Sequence, residues 1–306
     1  MLPIKQTPVY GHLAAGITIL IWGTTLVSTK TLLAAFAPVE ILFFRFLLGY
    51  FALLIACPRR LSGLPLRHEA YLMAAGLCGI CLYYLLENIA LVYSLASNVS
   101  IILSTAPFFT ALLSKLFFKQ EPGFGPRFFV GFLFAMVGIA LVVCNGAALA
   151  LNPLGDFLAL LAAFFWASYS VLIKKIGEFR YPTILVTRRI FFYGLLSMVP
   201  ALFLFDFHLE LSRFSNLSFL MHILFLGLCA SALCFITWNT AVARLGPVKT
   251  ASYIYAVPGI TLLSSAIFLN ETITFLAILG MAFTLIGLLF SSGGSKRAPE
   301  HGASST

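Results

Sequence analysis

Charged side chains are scarce in this chain. Asp, Glu, Lys and Arg make up 9% of its 306 residues, where a soluble domain carries about 25%. With 61% hydrophobic residues and a mean hydropathy of +1.02, no soluble core could hide the apolar surface, and a water-soluble fold is excluded. Catalytic signatures are missing as well. There is no H-E-x-x-H and no G-x-x-x-x-G-K-[ST] loop. Neither a polytopic membrane enzyme nor a nucleotide-driven pump is expected. The six cysteines, Cys57, Cys78, Cys81, Cys144, Cys229 and Cys234, all fall in or at the ends of apolar segments. Cys78 and Cys81 form a C-x-x-C, but without a second pair or a nearby His it reads as helix packing. No disulfide framework, metal or cofactor is expected.

What the chain has instead is long apolar runs. Runs of about 18–25 residues, enough to cross about 30 Å of hydrocarbon as a helix, begin near His12, Val39, Ala70, Asn98, Phe128, Leu154, Thr183, Ser218, Pro247 and Ile273. They do not alternate, so they suit helices and not barrel strands, and a helix satisfies its backbone donors within the segment. The first run is longer than a signal-peptide core and leads into Thr24, Thr25, Ser28 and Lys30 without an A-x-A site, so it is expected to stay as the first helix.

The chain also contains itself twice. Trp22, Lys30, Pro38 and Arg45 recur as Trp166, Lys174, Pro182 and Arg189 at an offset of 144. Gly76, Cys78, Asn88, Ala90 and Pro107 then recur as Gly227, Cys229, Asn239, Ala241 and Pro258 at an offset of 151. Glu121 and Glu271 close the fourth segment of each half, and Gly131 with Gly138 matches Gly280 with Gly287. Similarity at a fixed period means two copies of one structural unit. The units are residues 10–146 and 154–292, followed by a Gly, Ser and Ala-rich tail, 293–306, read as disordered.

Lys and Arg residues set the orientation. Alternate loops hold Arg59, Arg60 and Arg67, then Lys119 and Arg127, then Lys174, Lys175 and Arg180, then Arg244 and Lys249, while the opposite set holds only Arg213. The tails add Lys5, Lys296 and Arg297. By the positive-inside rule both termini are cytoplasmic. The net charge of +9 is therefore a topology signal, with attraction to anionic lipid beside it. Scattered over five loops without a base-stacking platform, it does not suggest nucleic-acid binding. Five helices per unit make the second unit run opposite to the first. The expected fold is an all-α polytopic membrane protein of ten transmembrane helices in two inverted five-helix repeats. Inverted repeats can exchange shapes, which is the basis of alternating access around a site near the midplane.

The segments W-G-T-T-L-V-S-T-K from Trp22, P-V-E-I-L-F-F-R-F from Pro38, A-P-F-F-T-A-L-L-S-K-L-F-F-K-Q-E from Ala106 and V-P-G-I-T-L-L-S-S-A-I-F-L-N-E-T from Val257 resemble the EamA family of the drug/metabolite transporter superfamily. The resemblance covers about residues 10–292. It implies a bacterial plasma-membrane location and export of amino acids or related small metabolites. It leaves the substrate open, because the superfamily also carries sugar phosphates, nucleotide sugars, S-adenosylmethionine and lipophilic cations. In relatives of this fold helices 1, 6, 8 and 9 line the central cavity, which makes Trp22, Trp166, Tyr169, Trp238, Tyr253 and Tyr255 cavity candidates beside their packing roles. In such relatives helices 5 and 10 often serve assembly, so a monomer and a homodimer both stay open.

Several residues invite chemistry. Pro107 and Pro258 lie mid-segment, where each frees the carbonyl four residues earlier, of Leu103 and Ile254, and offers a hinge or polar backbone beside a cavity. A static kink is the plainer alternative. Glu87 is costly inside an apolar helix, beside Asn88 and a turn from Tyr83 and Tyr84, and such residues usually face a cavity or a partner. The repeat places Trp238 at its matching position, so Glu87 breaks the symmetry. It is a candidate for substrate binding or proton coupling, or for pairing with Lys30 or Arg45. Lys30, Glu40 and Arg45, with Lys174 and Arg189 opposite, are gating or charge-pair candidates, Glu40 with Arg45 among them. Glu121 and Glu271 are expected to cap the helices next in the chain. Asn88 and Asn239 either contact substrate or join helices. The leading reading is a secondary carrier for a small molecule, driven by protons, by a counter-substrate or by the cargo's own gradient. Exchange or import of a nucleotide-like metabolite and export of lipophilic cations are the alternatives.

Overall fold

A computed structural model of the chain describes residues 8–118, 126–143, 153–205 and 207–292. Glu121, Cys144, Lys5, Lys119, Lys296, Arg297 and the C-terminal tail lie outside the described residues. Among the described residues every regular element is helical and there is no strand.

The helices are α1 (Pro8–Leu32), α2 (Pro38–Ala56), α3 (Leu66–Tyr93), α4 (Ala96–Phe117), α5 (Pro126–Val143), α6 (Pro153–Gly177), α7 (Thr183–Leu204), α8 (Leu217–Leu245), α9 (Pro247–Phe268) and α10 (Phe275–Ser292). Eight of them are long and apolar enough to cross a membrane, and the described apolar stretches of α5 and α10 are shorter. Prolines open α1, α2, α5, α6 and α9, because a missing N–H costs nothing in a first turn. At α2 the Glu40 side chain also accepts from the Ala37 amide at 2.7 Å, which satisfies a donor the helix leaves open. Gly246, with φ 83° and ψ 159°, turns α8 directly into α9 in a conformation that suits glycine.

Four of the long helices are irregular, and their irregularities match. α3 and α8 each contain a π-helical stretch, Leu77–Leu82 and Phe225–Leu233. α4 breaks at Ser104 and Thr105, and α9 passes through a 3-10 turn, Ser252–Ala256. Pro107 and Pro258 sit in the first turn of the half-helix beyond each break. A sequence pattern does not reveal a π stretch, because one added residue per turn changes no side chain's character.

The halves interlock. α1 packs on α8 and α9, α2 on α7 and α8, α3 on α6 and α7, α4 on α6, and α5 on α10. Where lipid is as apolar as leucine, close packing and polar bonds hold such a bundle together. The Gly131, Gly138, Gly280 and Gly287 stripe is used inside the chain for this purpose. A Cβ on Gly138 would come within 2.5 Å of the Gly280 carbonyl, and one on Gly287 within 2.5 Å of the Ala135 amide. Polar bonds tie further helices together: Thr261 donates to the Gly23 carbonyl at 2.9 Å, and the Thr18 and Thr237 hydroxyls meet at 2.6 Å. Large apolar side chains such as Leu20, Ile55, Phe117, Phe203 and Ile267 stay exposed, a girdle suited to acyl chains and not to water.

Candidate functional site

The three tryptophans of the chain converge on one point. Trp22 from α1 and Trp166 from α6, a pair matched by the repeat, meet edge to face with ring centroids 5.0 Å apart. Trp238 from α8 packs 5.1 Å from Trp22 and 5.6 Å from Trp166. The Trp22 indole donates to the Ala230 carbonyl at 3.0 Å, inside the π stretch of α8. A π stretch breaks the helical bond ladder and leaves carbonyls such as this one for other donors.

Beside this cluster lies a cavity with about 40 Å³ open to the centre of a water molecule. Its walls come from α1, α3, α4, α6 and α9, and include Trp22, Tyr83, Tyr84, Glu87 and Trp166. Leu103 and Ile254, each four residues before one of the two prolines, also line it. Among the described residues Glu87 is the only charged one that reaches its wall.

Glu87 is 2% exposed, and its Oε2 has no hydrogen-bond partner. It interacts with the Tyr83 hydroxyl and is attracted by Arg45 of α2. Arg45 is itself 1% exposed. Its guanidinium carbon lies 4.2 Å from the Tyr84 ring centroid, its Nε donates to the Ser231 hydroxyl at 3.1 Å, and both terminal nitrogens are unpartnered. A buried charge is tolerated where an opposite charge and an aromatic face stand close. Two further residues of the cavity wall hold unpartnered polar atoms, Trp166 Nε1 and Ser100 Oγ.

The other candidates fall elsewhere. Asn88 donates to the Pro38 carbonyl at 3.0 Å. Asn239 accepts from the Tyr169 hydroxyl at 2.7 Å and donates to Thr187 at 3.0 Å. Tyr253 hydrogen-bonds His12. Tyr255 and Pro107 line a separate hollow between α4, α5, α9 and α10. None of Asn88, Tyr169, Trp238, Asn239, Tyr253 or Tyr255 is in the wall of the central cavity.

The ionic pairings differ from expectation. Glu40 does not pair with Arg45. It turns toward the loop after α7, where its carboxylate accepts from Arg213 at 2.8 and 3.0 Å and from the His208 amide at 2.9 Å. Glu40 starts α2 and Arg45 lies more than a turn further along, on the cavity side, so one rotamer cannot serve both. The carboxylate in turn holds the Arg213 guanidinium above its usual pKa. Lys30 does not pair with Glu87, which faces Arg45 instead. It donates to the carbonyls of Leu91 and Ser94, at the end of α3. Arg189 pairs with Glu69 at 2.7 Å, and Lys174 lies 4.0 Å over the Phe118 ring. Arg188, which no sequence signal singled out, donates to the carbonyls of Cys57 and Arg59 just past α2.

Glu271 caps a different helix from the one expected. It accepts from the Ala96 amide at 3.0 Å, the Ser97 amide at 3.3 Å and the Ser97 hydroxyl at 2.8 Å, which is the N-terminus of α4. Helix α10 has its own cap, Thr274, whose hydroxyl accepts from the Ala277 amide at 3.2 Å. With that position filled, the carboxylate reaches the open amides across the bundle, where it also attracts Lys30. Lys30, Ser94, Ser97 and Glu271 thus join α1, α3, α4 and the α9 to α10 loop at one end of the cavity. Among the described residues no group of three or more His, Cys, Asp or Glu side chains is placed to hold a metal ion.

A family model described as the EamA-like transporter family matches residues 9–144 and 153–293. An uncharacterized transporter of Archaeoglobus fulgidus is 28% identical over 287 residues, 92% of this chain and 96% of that protein. A probable amino-acid metabolite efflux pump of Salmonella typhimurium is 24% identical over 282 residues, 89% of this chain and 91% of its own. A probable terminal-alkyne amino-acid exporter of Streptantibioticus cattleyicolor is 26% identical over 217 residues, 70% of each chain. One solved crystal structure superposes on 95% of this chain and 100% of its own with a TM-score of 0.68 at 20% identity, a likeness of fold.

Proposed function

The chain belongs to the EamA-like transporter family, and from that membership we propose that it is a secondary carrier exporting amino acids or related small metabolites by alternating access. The observation that carries the proposal is the cavity where the two halves meet, walled by the repeated pair Trp22 and Trp166 and holding the buried carboxylate of Glu87. In an alternating-access cycle the walls of this cavity move as it opens to either side. The breaks before Pro107 and Pro258 are the hinges in this reading, and Leu103 and Ile254 carry the motion into the cavity wall.

In the same proposal ten helices cross the membrane as two inverted repeats, with both termini cytoplasmic, in a bacterial inner membrane. Matched irregularities support it: the π stretches of α3 and α8, the breaks of α4 and α9, and the facing glycines of α5 and α10 each pair positions related by the internal repeat. In that orientation the cluster of Lys30, Ser97 and Glu271 is a closure on the outer side. Relatives named as amino-acid exporters or efflux pumps support the cargo class. Among the described residues no Lys or Arg lines the cavity, which weighs against phosphate-bearing cargo.

The test is counterflow in sealed proteoliposomes loaded with unlabelled amino acids or adenosyl metabolites one at a time. Transient accumulation of the labelled compound is the expected result for at least one amino acid. Absence of accumulation for all of them, in protein that is folded and correctly inserted, would sink the carrier reading.

A further inference from the structure

A second hollow opens on the flank of the bundle where α3, α4 and α6 meet. About 350 Å³ of it is open to the centre of a water molecule, against about 40 Å³ in the central cavity. One wall is a face of α6, where Phe164, Ser168, Leu172 and Lys175 follow one another at helical spacing. Phe117 at the end of α4, Phe118 just past it and Tyr71 of α3 supply the others. From Phe164 to Lys175 the helix rises about 16 Å, the depth of one leaflet in a bilayer with about 30 Å of hydrocarbon. Ser168 spends its hydroxyl on the Phe164 carbonyl of its own helix at 3.0 Å, and Phe117 and Phe164 stay 71% and 37% exposed. Such a wall offers water too few polar partners to hold it, whereas an acyl chain matches it.

Positive charge gathers at one end of this hollow. Lys175 is part of its wall, and Lys174 lies 4.0 Å over the ring of Phe118, another wall residue. The stretch from Lys174 to Arg180 carries three basic side chains and one carboxylate, Glu178, and Lys115 adds a fourth basic group in the last turn of α4. Glu178 pairs with Lys175, but the two side chains are 49% and 35% exposed, and a pair so open to water is weak enough for a phosphate to displace. Glu69 of α3 is held by Arg189. The internal repeat marks Lys175 as an addition to the shared plan. Lys174 recurs as Lys30, but Lys175 matches Thr31, whose hydroxyl donates to the Val27 carbonyl of its own helix at 3.0 Å. The fold therefore does not require a charge at that position. We infer that the hollow binds one anionic glycerophospholipid, an acyl chain lying along α6 from Lys175 toward Phe164 and the phosphodiester resting on Lys174 and Lys175. Basic side chains at the mouth of an apolar groove between membrane helices select a charged headgroup over a neutral one.

The experiment follows the first lipid bound to the purified, delipidated full chain in detergent by native mass spectrometry, titrating phosphatidylglycerol and phosphatidylcholine with identical acyl chains. Phosphatidylglycerol is expected to bind at least about fivefold more tightly, the effect of about one basic residue at an anionic surface. Lys175→Gln should bring it down to the level of phosphatidylcholine. Lys249→Gln, which removes an exposed lysine between α8 and α9, should leave the preference unchanged and so separates a built site from diffuse attraction. Ser168→Trp fills the apolar part of the hollow and should weaken both lipids in a monodisperse protein of unchanged helix content. Equal binding of the two lipids, a preference that survives Lys175→Gln, or the same loss in Lys249→Gln overturns the inference. Undiminished phosphatidylglycerol binding to the Ser168→Trp protein does so as well. Competition by sn-glycerol 3-phosphate would also overturn it, since a site that needs no acyl chain is a soluble-phosphate site.

Discussion

Replacing Glu271 by alanine tests whether one carboxylate locks two distant parts of the chain. Ala96 and Ser97 occupy the first turn of α4, where amides have no partner within the helix. Their protection comes from Glu271, through bonds of 3.0 and 3.3 Å to the amides and 2.8 Å to the Ser97 hydroxyl. Losing a capping side chain costs about 0.5–2 kcal/mol. Glu271 is partly exposed, which trims its charge contribution, while the third bond adds to it, so about 1–2 kcal/mol is the working value. At 1.4 kcal/mol per factor of ten, amide exchange at positions 96 and 97 should speed by about 5–30-fold. Glu271→Gln keeps an acceptor and loses the charge, and should fall between. Hydrogen exchange read by mass spectrometry on peptides covering 94–103 and 273–282 measures both helix starts at once. The first turn of α10 should keep its protection, since Thr274 caps it. Faster exchange at 275–278 with no change at 96–97 would refute the assignment and return Glu271 to its own helix.

Three other perturbations address packing, charge and the π stretch. Gly138→Ala places a methyl 2.5 Å from the Gly280 carbonyl and 2.7 Å from the Thr284 amide, backbone that cannot yield, so stability should fall by about 1–3 kcal/mol. Gly16→Ala, with nothing within 4 Å, is the neutral control in the same thermal melt. Arg213→Ala leaves the Glu40 carboxylate, 2% exposed as a side chain, with the Ala37 and His208 amides but no counter-charge, at a cost of about 1–3 kcal/mol, and adding Glu40→Gln should recover part of it; an unchanged melting temperature for the single variant would show that the pair is idle. Trp22→Phe keeps the ring contact but removes the donor to the Ala230 carbonyl, and should cost about 1 kcal/mol in the same measurement, with no loss if the π-stretch carbonyl is satisfied otherwise.

Some of the site was legible in the sequence. Glu87 stood out because a carboxylate in an apolar run is costly anywhere, and because its repeat partner is Trp238. Trp22 and Trp166 stood out as a repeated pair, and they meet. Pro107 and Pro258 pointed to Leu103 and Ile254, which line the cavity. Ser100 and Arg188 gave no signal. Hydroxyls abound in the interior of this bundle, and an arginine beside a loop looks like a topology marker until its partner carbonyls are seen. Tyr169, Asn239 and Tyr255 were reasonable candidates by helix, yet the helix rotations turn them elsewhere. Each π stretch adds a residue to a turn and rotates the side chains beyond it by about 100°, so extrapolating a face along α3 or α8 from its sequence fails past the bulge.

Membrane residence, helical class, the duplicated plan and the family were properties of the sequence alone. Each is a sum over local terms, hydrophobicity per run, charge per loop and similarity per offset, and no contact needs to be known to evaluate it. Only the tertiary structure decided which polar groups meet. Glu40 found Arg213 rather than Arg45, Glu271 found α4 rather than α10, and Arg45 came to rest on Tyr84 behind Glu87. Those choices depend on helix rotation and on which end of one helix lies against which end of another. A single ångström or a single rotamer then separates a satisfied charge from a stranded one.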